Sequence, residues 1–362
     1  MQIDAVATPD PEPHRSGTRL REHDAFGPNP GNLRMFSYRP EGLTGRVPLL
    51  VVLHGCLQTA AGYGEGAGWL ALADRFRFAV LAPEQKRANN INRCFNWFLP
   101  DDTARGSGEA ASIHEMIAHC IRVNQIDPQR VYITGLSAGG AMASVMLATH
   151  PEMFAGGAII AGLPFGSASN VKEAIAAMQS APDRSPRDWG DAVRSASSHR
   201  GPWPRISIWH GDADQTVAIS NMEAALGQWC DVHQLTGPPR REENKPVLHR
   251  VWHDARGVPV VEANTVAGLA HGTPIRAGEA ADCCGAPAPF ILDVGIPSSI
   301  HIAEFFGLAS AIAPHDASDD RTLRSTSKVG RSGFKDIIRA TAMYRLRNVI
   351  GKCLRAAGLR KR

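Results

Sequence analysis

Ser137 stands in "ITGLSAGGAM" (residues 133–142), with Gly135 two places before it and Gly139 two places after. A serine hydroxyl is a poor nucleophile near neutral pH. It attacks a carbonyl only with a base within hydrogen-bond reach and an acid that orients the base. The G-x-S-x-G pattern alone fits a serine in a tight turn equally well. The context favours chemistry: the apolar run "RVYITG" (130–135) precedes it and a helix-like stretch (138–149) follows. In a strand–turn–helix setting the glycines make room for a sharp turn that lifts the serine above the sheet. The helix N-terminus favours developing negative charge.

The partners are sought downstream, at strand ends on the same sheet edge. "SIWHGDADQTV" (207–217) offers two acids, Asp212 and Asp214. The frame H-G-x-x-D-x-x-V selects Asp214 as the acid and leaves Asp212 to loop or helix-cap hydrogen bonding. "VEANTVAGLAHGTPI" (261–275) offers His271 after an alternating, strand-like run. The glycines around it, Gly268 and Gly272, would let its loop bring the imidazole close to Ser137. Of the other histidines, His233, His249, His253 and His301 fall in helical or strand-like patterns with no evident partner. The spacing His249-x-x-x-His253 lacks a third ligand, so it is not read as a metal site, and no cofactor is expected. An acyl-transfer site also needs donors for the oxyanion. The backbone N–H of Ala138 is one, and the His54-Gly55-Cys56 turn in "VVLHGCLQTA" (51–60) supplies a second through the Cys56 N–H. The Cys56 thiol is left open between a buried filler and a partner for Cys94.

These residues must be held by a scaffold, and the chain describes one. Short apolar runs end in glycine or proline: "PLLVVLHG" (48–55), "FAVLAPE" (78–84), "RVYITG", "FAGGAIIAG" (154–162) and "RISIWHG" (205–211). Helix-like stretches separate them, which is the pattern of a mainly parallel sheet covered on both faces, an α/β fold. Residues 112–124 place Ile113, Met116, Ile117, Cys120 and Ile121 on one helical face, and 298–308 read as a final packed helix. The polar region 167–200, with helix-like "NVKEAIAAMQ" and "RDWGDAVRSA", suits an excursion over the carboxyl edge of the sheet. In "NRCFNWFLP" (92–100), Phe95, Trp97 and Phe98 offer apolar surface for an acyl or polyester chain, and Asn96 a hydrogen bond to an ester carbonyl. Packing of the core is the competing reading for these aromatics.

Composition bounds the rest. With 43% apolar residues in 362, the chain has a real core and is not disordered as a whole. The net charge is +4, but residues 335–362 carry nine Lys or Arg against Asp336, giving +8 there and about −4 over the remainder. An acidic body speaks against nucleic acid as a partner. The basic tail has an apolar stripe through Phe334, Ile337, Ile338, Thr341, Val349, Cys353 and Leu354, and suits contact with an anionic surface or granule as well as a solvated helix. The seven cysteines are scattered, odd in number and without a C-x-x-C pair, so zinc is not expected. The N-terminus lacks the basic start and apolar run of a secretory signal, and no stretch of about 18 uninterrupted apolar residues follows. As written, the chain is expected to be soluble and cytoplasmic, and secreted if its true start lies upstream.

Taken together, "LHGCLQTA" (53–60), "PEQKRANNINRCFNWFLPDDTARGSGEAASI" (83–113), "IDPQRVYITGLSAGGAMA" (126–143), "WPRISIWHGDADQTV" (203–217) and "GLAHGTPI" (268–275) resemble the poly(3-hydroxybutyrate) depolymerase esterases. That family is a branch of the α/β-hydrolases related to feruloyl and acetylxylan esterases. "FILDVGIPSSIHIAEFFGL" (290–308) is similar to its closing segment. The resemblance implies an α/β-hydrolase fold with Ser137 as nucleophile, Asp214 as acid and His271 as base. It implies an ester substrate, foremost poly- or oligo(3-hydroxyalkanoates), with plant feruloyl or acetyl esters next. A reading from another class is a catalytically idle hydrolase fold that binds surfaces. The expected organisation is an extended leader (1–30), a catalytic domain (31–308), a flexible linker (309–333) and a basic amphipathic tail helix (334–362). The polymer-binding domain of secreted depolymerases is not recognisable, and the resemblance does not explain the tail.

Overall fold

The structure, a computed structural model, describes residues 18–309. The linker and tail-helix expectations therefore lie outside the described residues, as does most of the leader. In chain order the elements begin with β1 (Arg21–His23), β2 (Arg34–Tyr38), β3 (Val47–Leu53), α1 (Ala60–Gly66), α2 (Trp69–Phe76) and β4 (Ala79–Glu84). Then come α3 (Pro100–Thr103), α4 (Gly108–Val123), β5 (Ile126–Leu136), α5 (Ala138–Thr149), β6 (Gly156–Ile160), α6 (Val171–Gln179), α7 (Pro186–Ser195) and β7 (Arg205–Gly211). The chain continues through α8 (Ser220–Val232), β8 (Arg240–Asn244), β9 (Val247–His253), β10 (Pro259–Val266), β11 (Thr273–Ile275), β12 (Ile291–Asp293) and α9 (Ser298–Phe305).

Ten strands form one sheet in the order β1-β2-β4-β3-β5-β6-β7-β10-β9-β8. The six central strands, β4 to β10 in that order, pair in parallel, while β1, β2, β9 and β8 add antiparallel edges. The apolar runs are continuous because both faces are covered. Along β3, Leu49, Val51 and Leu53 enter a core shared with α4, α5 and α8, whereas Leu50 and Val52 enter the opposite core with α1, α2 and α9. This alternation explains why the strands read as unbroken Val, Ile and Leu.

The leader reading needs one correction. Arg21–His23 is an edge strand, antiparallel to β2 and in register Glu22 to Phe36. Three polar residues carry no periodicity that would announce a strand. The excursion at 167–200 contains α6 and α7, as its sequence suggests. Because all six central strands run the same way, the loops after β3, β4, β5, β7 and β10 gather at one edge.

Candidate active site

The serine turn follows directly from its glycines. Ser137 takes φ 58° and ψ −118°, a conformation that L-residues rarely adopt. Its N–H donates to Ile160 O at 2.9 Å, and its carbonyl already accepts Ala141 N at 2.8 Å, so α5 begins at once. A Cβ on Gly135 would strike the Gly139 carbonyl, and one on Gly139 the Leu53 carbonyl. Both obstacles are backbone and cannot swing aside. Thus the glycines serve close backbone approach, and the turn between them holds Ser137 at the top of the sheet.

Asp214 and His271 meet although 57 residues separate them. His271 Nδ1 donates to Asp214 Oδ2 at 2.6 Å. Asp214 Oδ1 accepts two backbone N–H groups, Thr216 at 2.8 Å and Val217 at 3.0 Å, which fixes the plane of the carboxylate. Burial acts to raise the Asp214 pKa, but hydrogen bonds from His210 and His271, the His271 charge and the Val217 N–H outweigh it. They hold the group well below the ordinary carboxylate range. His210 was not anticipated: its Nε2 donates to Val217 O at 2.9 Å and lies 3.4 Å from Asp214 Oδ2. Only its place in the H-G-x-x-D frame signalled it. Asp212 is elsewhere occupied, accepting Gly268 N at 2.6 Å and so closing the turn that leads to His271.

The His54-Gly55-Cys56 turn is held from both sides. His54, fully buried, donates from Nδ1 to Gly55 O at 2.8 Å and accepts Gln85 N at Nε2 at 3.1 Å. Burial pushes its pKa down to about 4, so the ring is neutral and both nitrogens are committed. Gly55 N donates to Gln58 Oε1 at 2.8 Å, and Gln58 Nε2 to Pro289 O at 3.0 Å. Cys56 is disulfide-bonded to Cys94, which decides the alternative that the sequence left open.

Ser137, Ala138, Cys56 and His271 all line one cleft of about 650 Å³. Trp97 and Phe98 line it too, and they pack edge to face with ring centroids 5.2 Å apart. The face of α6 presented at helical spacing, Val171, Ala174, Ile175 and Met178, forms another wall. Two expectations do not hold. Asn96 is not among the lining residues: it is buried, its Oδ1 accepts Asn90 Nδ2 at 3.1 Å, and its N–H donates to Glu109. Phe95 is fully buried against His54, with centroids 5.0 Å apart. Two of the remaining histidines do have partners. His249 Nε2 lies 3.1 Å from Glu262 Oε2, and His233 Nε2 donates to Pro204 O at 2.9 Å.

A serine on a strained strand-to-helix turn, with a His–Asp pair at neighbouring strand ends of a mainly parallel sheet, defines an α/β-hydrolase. A solved acetyl xylan esterase from Aspergillus awamori has the same fold: TM-score 0.68 at 24% identity, covering 80% of this chain and 99% of that one. Residues 34–241 match the Esterase PHB depolymerase family, and the chain belongs to it. A poly(3-hydroxyalkanoate) depolymerase C from Paucimonas lemoignei is 46% identical over 291 residues, covering 80% of this chain and 70% of that protein. An acetylxylan esterase from Coprinopsis cinerea is 32% identical over 279 residues, covering 74% and 73%. The protein is a carboxylic ester hydrolase.

Proposed function

We propose that the protein hydrolyses esters of 3-hydroxyalkanoates, oligomeric or polymeric, through an acyl-enzyme on Ser137. Ser137 Oγ attacks the ester carbonyl carbon while its proton passes to His271 Nε2. Asp214 keeps the other ring nitrogen protonated and stabilises the imidazolium that forms. The tetrahedral oxyanion is bound by the N–H groups of Cys56 and Ala138. Its collapse expels the alcohol, which takes the proton from His271. Water, deprotonated by the same histidine, then releases the acid and restores Ser137.

The observation that carries this reading is the 2.6 Å His271–Asp214 bond beside an apolar cleft that Ser137, His271, Ala138 and Cys56 share. Apolar walls suit an aliphatic polyester. Leu57, Ile91 and Val171, exposed by 39%, 78% and 42%, border the cleft and extend that surface outward. The 46% identical depolymerase supports the substrate class, and the 32% identical acetylxylan esterase supports plant acetyl esters as the second reading. A hydrolysis screen across 3-hydroxybutyrate oligomers, amorphous polymer, feruloyl esters and acetylated xylan separates the two. Turnover confined to the plant esters would remove the depolymerase reading.

Two further proposals accompany it. The basic segment 334–362 docks the enzyme on an anionic surface, and a tail-deleted variant should lose co-sedimentation with anionic vesicles or polymer granules. The Cys56–Cys94 disulfide supports residence in an oxidising compartment over the cytoplasm. Thiol mapping of protein from fractionated cells tests this.

A further inference from the structure

Gln85, just after β4, and Glu109, in the first turn of α4, are each 1% exposed, and neither lines the cleft. The bonds they make nonetheless converge on it. Gln85 Nε2 donates to Glu109 Oε1 and, at 3.2 Å, to the carbonyl of disulfide-bonded Cys94. Gln85 Oε1 accepts Asn89 Nδ2 at 2.7 Å and Lys86 N at 2.9 Å, and Asn89 lines the cleft. Gln85 N donates to His54 Nε2, whose ring fixes the Gly55 carbonyl one residue before Cys56. Glu109 Oε2 accepts Asn96 N at 2.8 Å, directly before Trp97 and Phe98.

A buried carboxyl is a costly way to fill space. Burial, with the nearby charge of Asp102, raises the Glu109 pKa to about 8 against the hydrogen bonds from Asn96 and Gln85. The hydrogen bonds that offset this cost run to the oxyanion turn and the aromatic wall.

We infer that Gln85 and Glu109 are a positioning pair for the reaction, keeping the Cys56 N–H and the Trp97–Phe98 wall in register with Ser137. This rests on the acyl-enzyme reading above. The pair touches no reacting atom and acts through its side chains on Cys94, Asn89 and Asn96, while the Gln85 backbone N–H holds His54. A misplacement on the order of 1 Å at a reacting centre costs about a hundredfold in rate, so a loosened turn appears in kcat before KM.

The test compares Gln85→Met, which keeps length and the backbone N–H bond to His54 but loses every side-chain hydrogen bond, and Glu109→Gln, which sets an amide NH₂ against one of two donors. Active sites are titrated with a fluorophosphonate, so kcat is expressed per competent serine and folding yield drops out. The expected result is a fall in kcat of about tenfold to a hundredfold on a short p-nitrophenyl ester, with KM changed less than threefold. Affinity for phenylboronic acid, a tetrahedral mimic, falls in proportion to kcat/KM. An unchanged kcat per titrated site, with only a lowered Tm, overturns the inference, because the pair would then be merely structural. If neither buried variant gives titratable protein, the half-buried Asn89→Ala decides: a severalfold fall in kcat supports the inference and wild-type kcat contradicts it. Failure of the underlying acyl-enzyme reading looks different, since the wild type itself would then not be labelled at Ser137.

Discussion

Replacing Asp214 by Asn changes one atom and should nearly abolish turnover. The carboxylate has two sides with different demands. Oδ1 accepts the Thr216 and Val217 N–H groups, and Oδ2 accepts His271 Nδ1–H. The asparagine keeps its oxygen toward the two backbone donors, because the reverse orientation buries an NH₂ against both. Its NH₂ therefore faces His271 and forces Nδ1 to become an acceptor. The ring then carries its proton on Nε2, the nitrogen that receives the Ser137 proton in the proposed mechanism. In a triad this wrong tautomer costs about 10⁴-fold in kcat, or about 5 kcal/mol of barrier. Asp212→Asn provides the control: Asp212 holds only the Gly268 N–H, and an amide oxygen can accept the same bond. It should cost less than about threefold, since no reacting group is touched. The assay is steady-state hydrolysis of p-nitrophenyl butyrate, with circular dichroism confirming the fold of both variants. A loss below tenfold for Asp214→Asn, or a larger loss for Asp212→Asn, would refute the assignment of the acid.

Other outcomes follow from the same geometry. His54 has a folded pKa near 4 against an unfolded value near 6.5, so its contribution to stability is complete above pH 6.5 and is lost as the pH falls toward 4. That loss is about 3 kcal/mol, and urea unfolding at pH 7 and pH 4 should show it shrink in His54→Gln. Removing the disulfide by a Cys56→Ala, Cys94→Ala double substitution should lower stability by up to about 4 kcal/mol, from the chain entropy of a loop with sequence separation 38. Denaturant titration of the two proteins measures it. Ala174→Phe fills the α6 wall of the cleft and should reduce kcat/KM for hexanoate esters by about tenfold or more while sparing acetate. An equal loss on both esters would show that this wall does not sense ester size.

Much of this was legible in the sequence for physical reasons. The central strands announced themselves because burial on both faces leaves no room for polar residues in β3 or β6. The juxtaposition of Asp214 with His271, and of His271 with Ser137 in one cleft, is legible because each follows an apolar strand-like run and glycines lie next to or two places from Ser137 and His271. Legibility failed where the information is tertiary. Gln85 and Glu109 are 24 positions apart and look like ordinary surface residues until the fold buries both. His210 reads as the end of a strand, and only Asp214's loop folding back gives it a partner. Trp97 and Phe98, beside Asn96, line the cleft, but the irregular loop turns the Asn96 side chain toward Asn90, which no periodicity signals. β1 is not legible because its hydrogen bonds to β2, and no apolar pattern, define it.

In the proposed mechanism Ser137 forms the acyl-enzyme with Asp214 and His271 behind it. Peptide mapping by mass spectrometry after reaction with a fluorophosphonate tests it most directly. A single stoichiometric adduct on Ser137 is expected, with Ser137→Ala both unlabelled and inactive while retaining its fold. An adduct on another residue, or ester turnover by Ser137→Ala, would contradict it.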